Sequence, residues 1–209
     1  RNREFTTYTG ELDGRPVSVC STGIGSPSTA IAVEELAAIG ARTFIRVGTT
    51  GSIQKGVGFG DLVVATAAVR DEGTTPGYVP LGYPAVADFE LAQSMLAAGR
   101  SLNHRIHAGI VRSHDSLYTD LHASRMPRRE ELEQALRVWQ RAQVLCNDME
   151  SSTIFVLCTL RKLRGGAVLT VVNDPGEEDI DPARVSALDL TPMFRVALAA
   201  IRQLAPSPA

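Results

Sequence analysis

The run Ala167-Val168-Leu169-Thr170-Val171-Val172, closed by Asn173-Asp174-Pro175-Gly176, constrains this chain more than any other segment. A short apolar run ending in turn residues reads as a strand buried on both faces, and such a strand needs helices above and below its sheet. Asp61 to Val69 is a second strand of this kind, nearly all apolar and β-branched, and Thr43 to Val47 is a short buried third. Arg15 to Ser21 and Ile106 to Val111 also read as strands. Apolar residues at helical spacing fall between them. Ile31, Val33 and Leu36 follow Ser26 as N-cap and Pro27 as first helical residue, and Gly40 stops that helix. Further helices are expected over Val86–Leu102, Arg128–Gln143, Met149–Leu163 and Leu190–Leu204, with a loop over 71–84 and a frayed tail from Ala205. Strands alternating with helices predict an α/β fold with a mixed, mainly parallel β-sheet flanked by helices. With no repeat, linker or composition break, residues 1–209 are expected to form a single domain.

A chain of 209 residues, 44% hydrophobic and 21% charged, is long and apolar enough for a sizeable core. Its net charge of −2, with acids and bases interspersed, advertises no nucleic-acid or anionic-membrane partner. No apolar run approaches the length of a membrane span. Cys20, Cys146 and Cys158 lie in apolar stretches without metal-ligand spacing and are expected to be buried thiols.

In an open α/β sheet, ligands collect beyond the C-terminal ends of strands. Arg46, Gly48, Thr49, Thr50 and Gly51 follow one such end. Small residues admit an anion to backbone N–H groups, and Arg46 adds a fork of donors; the alternative is a plain turn. Asp148-Met149-Glu150 opens a helix, where two acids suit the helix dipole or bind sugar hydroxyls. Local chemistry leaves both choices open.

The runs Arg3-Glu4-Phe5-Thr6-Thr7, Cys20-Ser21-Thr22-Gly23-Ile24-Gly25-Ser26-Pro27-Ser28, Arg46-Val47-Gly48-Thr49-Thr50-Gly51, Pro84-Ala85-Val86-Ala87-Asp88 and Asp148-Met149-Glu150-Ser151 occur in this order. Together they resemble the nucleoside phosphorylase family, in its uridine phosphorylase branch, over nearly the whole chain. The resemblance implies a nucleoside-phosphorylase-like fold and an enzyme of nucleoside catabolism and salvage. Such a pentosyltransferase, a glycosyltransferase acting in the cytoplasm, uses inorganic phosphate as co-substrate and no organic cofactor. Phosphate attacks C1′ of a ribonucleoside, uridine-like pyrimidines being favoured, and gives free base and ribose 1-phosphate. By position, Arg3, Arg46 and Thr49 would bind phosphate, and Met149 and Glu150 the ribose. Thr50, Gly51, Leu121, His122 and Asp148 would adjoin the base. Glu4, Ile24 and Ser28 match a monovalent-cation site between subunits. Arg3 matches an arginine lent to a neighbour's site, so a homodimer is the implied minimal unit and a hexamer the implied assembly. The family's phosphate loop, with a second arginine, would precede residue 1.

Three departures from that pattern matter. Leu121 falls where the uridine branch carries the Gln that reads uracil, with His122 or Arg125 as potential substitutes. Asp148 is one methylene shorter than the usual Glu. Asp174 stands where the uridine branch often has Arg, in a neighbourhood where purine-directed relatives place a general acid. Arg46, Glu150 and Asp174 are therefore the candidate catalytic residues. A purine nucleoside phosphorylase using Asp174 is the alternative, with a water-using nucleosidase or a catalytically silent nucleoside-binding homologue beyond it. The acidic loop Glu177–Asp181 is expected to be a flap, and Trp139 a packing or interface residue.

Overall fold

The computed structural model describes residues 5–177 and 179–204. The first feature is one the periodicity did not reveal. β1 (Thr7–Leu12) and β2 (Arg15–Cys20) form a separate antiparallel hairpin. The two residues between them, Asp13 and Gly14, both have positive φ, 52° and 78°. That is the twist a two-residue hairpin turn needs, and an Asp-Gly pair supplies it cheaply. Exposure along most of β1 removed the alternating pattern that would have marked the strand. Arg15 Nη1 donates to the carbonyls of Ile201 (3.1 Å) and Leu204 (2.7 Å), which ties the hairpin to the C-terminal end of the last helix.

The larger sheet contains β3 (Thr43–Ser52), β4 (Leu62–Asp71), β5 (Ala85–Val86), β6 (Ile106–His114), β7 (Cys146–Asp148) and β8 (Arg164–Val171). Its order is β5-β4-β6-β7-β3-β8, and β4 also pairs with β8. β3–β8, β4–β6 and β6–β7 are parallel, whereas β3–β7, β4–β5 and β4–β8 are antiparallel. The sheet is therefore mixed and closes on itself, and the expectation of a mainly parallel sheet is corrected. The closure has a local cause. β4 pairs with β6 along its whole length; on its other edge Leu62–Val64 pair with β8, and past an irregularity between Ala65 and Ala67 that edge pairs with β5 instead.

The helices are α1 (Ser26–Ala38), α2 (Phe89–Ser101), α3 (Leu117–Leu121), α4 (Arg129–Arg141), α5 (Ser151–Leu160), α6 (Pro182–Ser186) and α7 (Thr191–Gln203). α2, α5 and α7 pack on the strands, and α1 packs on α5. Phe155, Leu157, Leu62, Leu169, Leu91 and Met95 are fully buried there. Each such side chain contributes about 1.5–3 kcal/mol by leaving water. At Gly165 and Gly166, the second and third residues of β8, a Cβ would meet Cys158 at 2.9 Å or Leu91 at 2.8 Å, so those two positions leave no space for a side chain.

Several boundaries differ from expectation, among them the start of the helix expected at Val86, where β5 intervenes and α2 begins at Phe89, and three have a clear local reason. Gly25, with φ 93°, caps α1, and Ser26 is its first residue; the Ser26 hydroxyl is engaged elsewhere. Gly48-Thr49-Thr50-Gly51 continues β3 rather than ending it, because β8 pairs with that strand through Thr50. Its first half is only partly buried. Finally, Cys146–Asp148 is a strand, which delays the helix expected at Met149 until Ser151. Among the described residues, no helix is long and apolar enough to cross a membrane. Cys146 and Cys158 are buried, and burial pushes their thiols up to about 12; Cys20, half-buried, departs from expectation.

Candidate active site

The turn between β7 and α5 brings the site together. Its two residues, Met149 and Glu150, leave Glu150 at the N-cap position of α5 with its side chain turned toward β3 and α1. Glu150 Oε1 accepts from the Gly25 N–H at 2.6 Å, and Oε2 pairs with Arg46 Nη2 at 2.6 Å. The Ser26 hydroxyl donates to the Met149 carbonyl at 2.9 Å. The Thr22–Ser28 segment and the Asp148–Ser151 segment, remote in sequence, are thus pinned to each other.

Arg46 is 16% exposed. Its Nε donates to Asp148 Oδ2 at 2.9 Å, and Nη2 also approaches the Thr49 carbonyl at 3.4 Å. Burial opposes its charge, but Asp148 and Glu150 outweigh that, so the guanidinium is held above its ordinary value. Nη1 makes none of these bonds. It lies over Gly48, where a Cβ would come within 2.5 Å of it. The absent side chain at Gly48 is what lets the guanidinium fold along the strand.

Asp148 is wholly buried. Besides Arg46, it accepts from Ser113 Oγ at 2.6 Å, from the Ser151 N–H at 3.0 Å and from Ser151 Oγ at 2.5 Å. With those bonds in place it anchors Arg46 and the start of α5. Ser113, missed in the sequence, completes this knot by accepting from the Ser152 N–H at 2.9 Å. Glu72, also missed, is buried and accepts from the Thr74 and Thr75 N–H groups and from Ser152 Oγ. Serines at the end of a strand and the start of a helix gave no periodic signal.

Along β3 the side chains alternate. Thr50 is buried and donates to the Asn147 carbonyl at 2.7 Å, whereas Thr49 is exposed on the opposite face with Gly51. β7 pairs with β3 only at Gly51 and Ser52. An anion held by both Arg46 and Thr49 would sit against the strand edge between them.

Leu121 ends α3, and His122 follows it. The His122 ring stacks on Tyr118 at 5.7 Å. Its Nδ1 faces Asp179 Oδ1 at 3.5 Å, too long for a hydrogen bond, and Arg125 approaches the other oxygen at 3.9 Å. Both expected substitutes for the base-reading Gln thus face the acidic loop. On the other side of that loop, Asp174 Oδ2 pairs with Arg184 Nη2 at 2.7 Å, and Oδ1 accepts from the Phe59 N–H at 2.9 Å. Arg184 also pairs with Glu177 at 3.0 Å and lies 3.9 Å over the Phe59 ring. The bonds from Arg184 and Phe59 hold the Asp174 carboxyl below its ordinary value. That is opposite to what a proton donor needs, since a general acid must keep its proton near neutral pH.

A polar cluster that the sequence did not announce, with Arg112 and His114 buried and Asp71 exposed, lies beside this site. Arg112 Nε pairs with Asp71 and Nη1 with Asp120, each at 2.6 Å. Asp120 Oδ2 also accepts from Asn147 Nδ2 at 2.7 Å, with His114 Nε2 at 3.4 Å. Burial, the largest influence, lowers the His114 pKa despite Asp120. Arg112 lies 5.9 Å from the Trp139 ring, which gives that tryptophan a packing role.

Arg3 and Glu4 lie outside the described residues, so their expected roles in binding phosphate and a cation have no geometry. Of the other cation candidates, Ser28 donates to the Thr22 carbonyl and Ile24 is 80% exposed. Among the described residues, no group of acidic, histidine or cysteine side chains could hold a metal ion.

The family model for the phosphorylase superfamily matches residues 1–202. The uridine phosphorylase of Escherichia coli (strain K12) is 40% identical over 208 residues, covering 97% of this chain and 81% of that protein. That of Treponema pallidum (strain Nichols) is 42% identical over 203 residues, covering 97% and 79%. A guanosine phosphorylase of Halorubrum lacusprofundi is 39% identical over 171 residues, covering 82% and 66%.

Proposed function

Because this chain belongs to the phosphorylase superfamily, we propose that it cleaves ribonucleosides with inorganic phosphate, uridine-like pyrimidine nucleosides being favoured. A phosphate oxygen forms a bond to C1′ as the bond from C1′ to the base nitrogen breaks. The electron pair leaves with the base, which takes a proton from solvent, and ribose 1-phosphate remains. The observation that carries the reading is the Arg46–Glu150 pair at 2.6 Å, which joins the expected phosphate and ribose groups in one unit. Glu150 uses one oxygen for Gly25 and one for Arg46, and each carboxylate oxygen has a second lone pair for a sugar hydroxyl. Arg46 Nη1, free of these bonds, is the donor for phosphate, with Thr49 beside it. Arg46 alone faces two carboxylates, so a dianion needs further positive charge. Arg3 of a second copy supplies part of it, and the working unit is a homodimer or a larger assembly of dimers.

Positioning the phosphate and stabilising positive charge on the sugar are what the site contributes to rate. Asp174, held as a carboxylate, takes no part as an acid in this account. The guanosine phosphorylase among the relatives keeps purine nucleosides in view as second substrates. Base release from uridine, thymidine, inosine and adenosine, each with and without phosphate, tests the reading. Release from uridine that requires phosphate, and that Arg46→Ala reduces in kcat/KM, is the expected result. Release that proceeds equally without phosphate identifies a nucleosidase and overturns it.

A further inference from the structure

We propose that Asn147 selects the base by accepting a hydrogen bond from its ring N–H, with Asp120 as the positioning residue that fixes the amide. The inference rests on the phosphorolysis reading and adds the chemical class of base. Asn147 stands in register with Gly51 of β3 on one side and Arg112 of β6 on the other, so the three share a face of the sheet. Gly51 follows Thr49 by two residues on that face, so it lies about 7 Å along the strand from one of the two residues expected at the phosphate. Over Gly51 there is room. A Cβ there would find one atom within 4 Å, Asn173 Oδ1 at 3.5 Å. Asn147 is therefore the cross-strand neighbour of a glycine that presents no side chain, with Asn173 beside that glycine, and it lies two residues before Met149 and three before Glu150.

The orientation of the Asn147 amide follows from charge. Its Nδ2 faces Asp120 Oδ2 at 2.7 Å, and a carboxylate that is ion-paired to Arg112 only accepts. The NH2 group must point there, so the carbonyl oxygen must point away. That oxygen, Oδ1, is buried and has no hydrogen-bond partner. A buried acceptor without a donor costs free energy until a ligand satisfies it. α3, which carries Asp120, has no buried residue, so adjusting it to admit a ligand disturbs no core.

An acceptor fixed in this way distinguishes bases by one proton. Uracil presents N3–H between two carbonyls, and hypoxanthine and guanine present N1–H beside one. Cytosine and adenine carry a bare lone pair at the same ring positions and would oppose oxygen to nitrogen. The proposed class is oxo-bases with a ring N–H.

The test measures phosphate-dependent kcat/KM for uridine, cytidine and 3-methyluridine, which lacks only the N3 proton of uridine. The wild-type protein is expected to favour uridine over each of the other two by about 10- to 100-fold, the effect of an unpaired buried acceptor. Asn147→Leu should lower uridine turnover by that factor and leave the other two nearly unchanged. Asp120→Asn frees the amide to turn its NH2 toward the ligand, and should narrow the ratio of uridine to cytidine. The substrate comparison in the wild type needs no variant to fold. Equal use of uridine and cytidine by the wild type, or an equal loss on all three substrates in Asn147→Leu, overturns the assignment while leaving phosphorolysis intact. No phosphate-dependent release from any nucleoside overturns the phosphorolysis reading and this assignment with it.

Discussion

Gly48 shows how one residue sets the state of another. The Arg46 guanidinium occupies the space that a side chain at position 48 would fill. Gly48→Ala should push the guanidinium off the strand and strain its pairs with Asp148 and Glu150, since crowding a packed site costs typically 1–3 kcal/mol. The expected outcome is a phosphate KM raised about tenfold, with a smaller rise in the nucleoside KM because Glu150 is paired with Arg46. Phosphate titration at saturating nucleoside checks it, and a shift in the nucleoside KM alone would contradict the role given to Arg46. Arg46, Glu150 and Thr49 were legible as candidates because their motif is local. Ser113, Glu72, Arg112, Asp120 and Asn147 were not, since their importance comes from pairings across strands that no single segment displays.

At the scale of elements, the segment from the end of β6 to α3 is held by charge rather than by apolar burial. His114 closes β6 against Asp120, Arg112, Asp71 and Asp148, and its pKa lies below the ordinary 6.5. As pH falls through about 6.5, the unfolded chain takes up a proton at this histidine while the folded chain does not. The His114 contribution therefore lowers stability as pH drops below about 6.5 and is absent above it. Urea midpoints measured between about pH 7.5 and 5 should fall, and His114→Gln should flatten that part of the profile. An unchanged slope in the variant would remove the histidine from the account. Most helices and long strands could be read from their apolar spacing, as α2, α4, α7 and β4 show. β1 and β7 could not: one is exposed and the other is three residues long. The glycines of β3 read as a turn because the pairing that keeps them extended comes from β8.

Across the whole molecule, the closed sheet explains why the site lies where it does. The antiparallel pairing of β7 with the end of β3, one link of that ring, is what brings Asp148 and Glu150 to Arg46. Sequence alternation alone gave the α/β class but not the ring, because antiparallel closure of β4 on β8 leaves no mark in either strand. Tyr8, Val19, Ile24, Ile31 and Ile39 are exposed on the hairpin and on or beside α1, Ile39 at 82%. Exposed apolar side chains on these elements suit the proposed homodimer. Light scattering should give at least a dimer, and Ile39→Glu should shift it toward monomer. A wild-type monomer that keeps full phosphate-dependent activity would refute the shared site.

The central claim is that phosphate, not water, receives the ribose. Following uridine with phosphate by phosphorus NMR tests this directly. The account predicts that ribose 1-phosphate appears mole for mole with uracil, and that no uracil forms when phosphate is omitted. Uracil accumulating with free ribose and no sugar phosphate would contradict it.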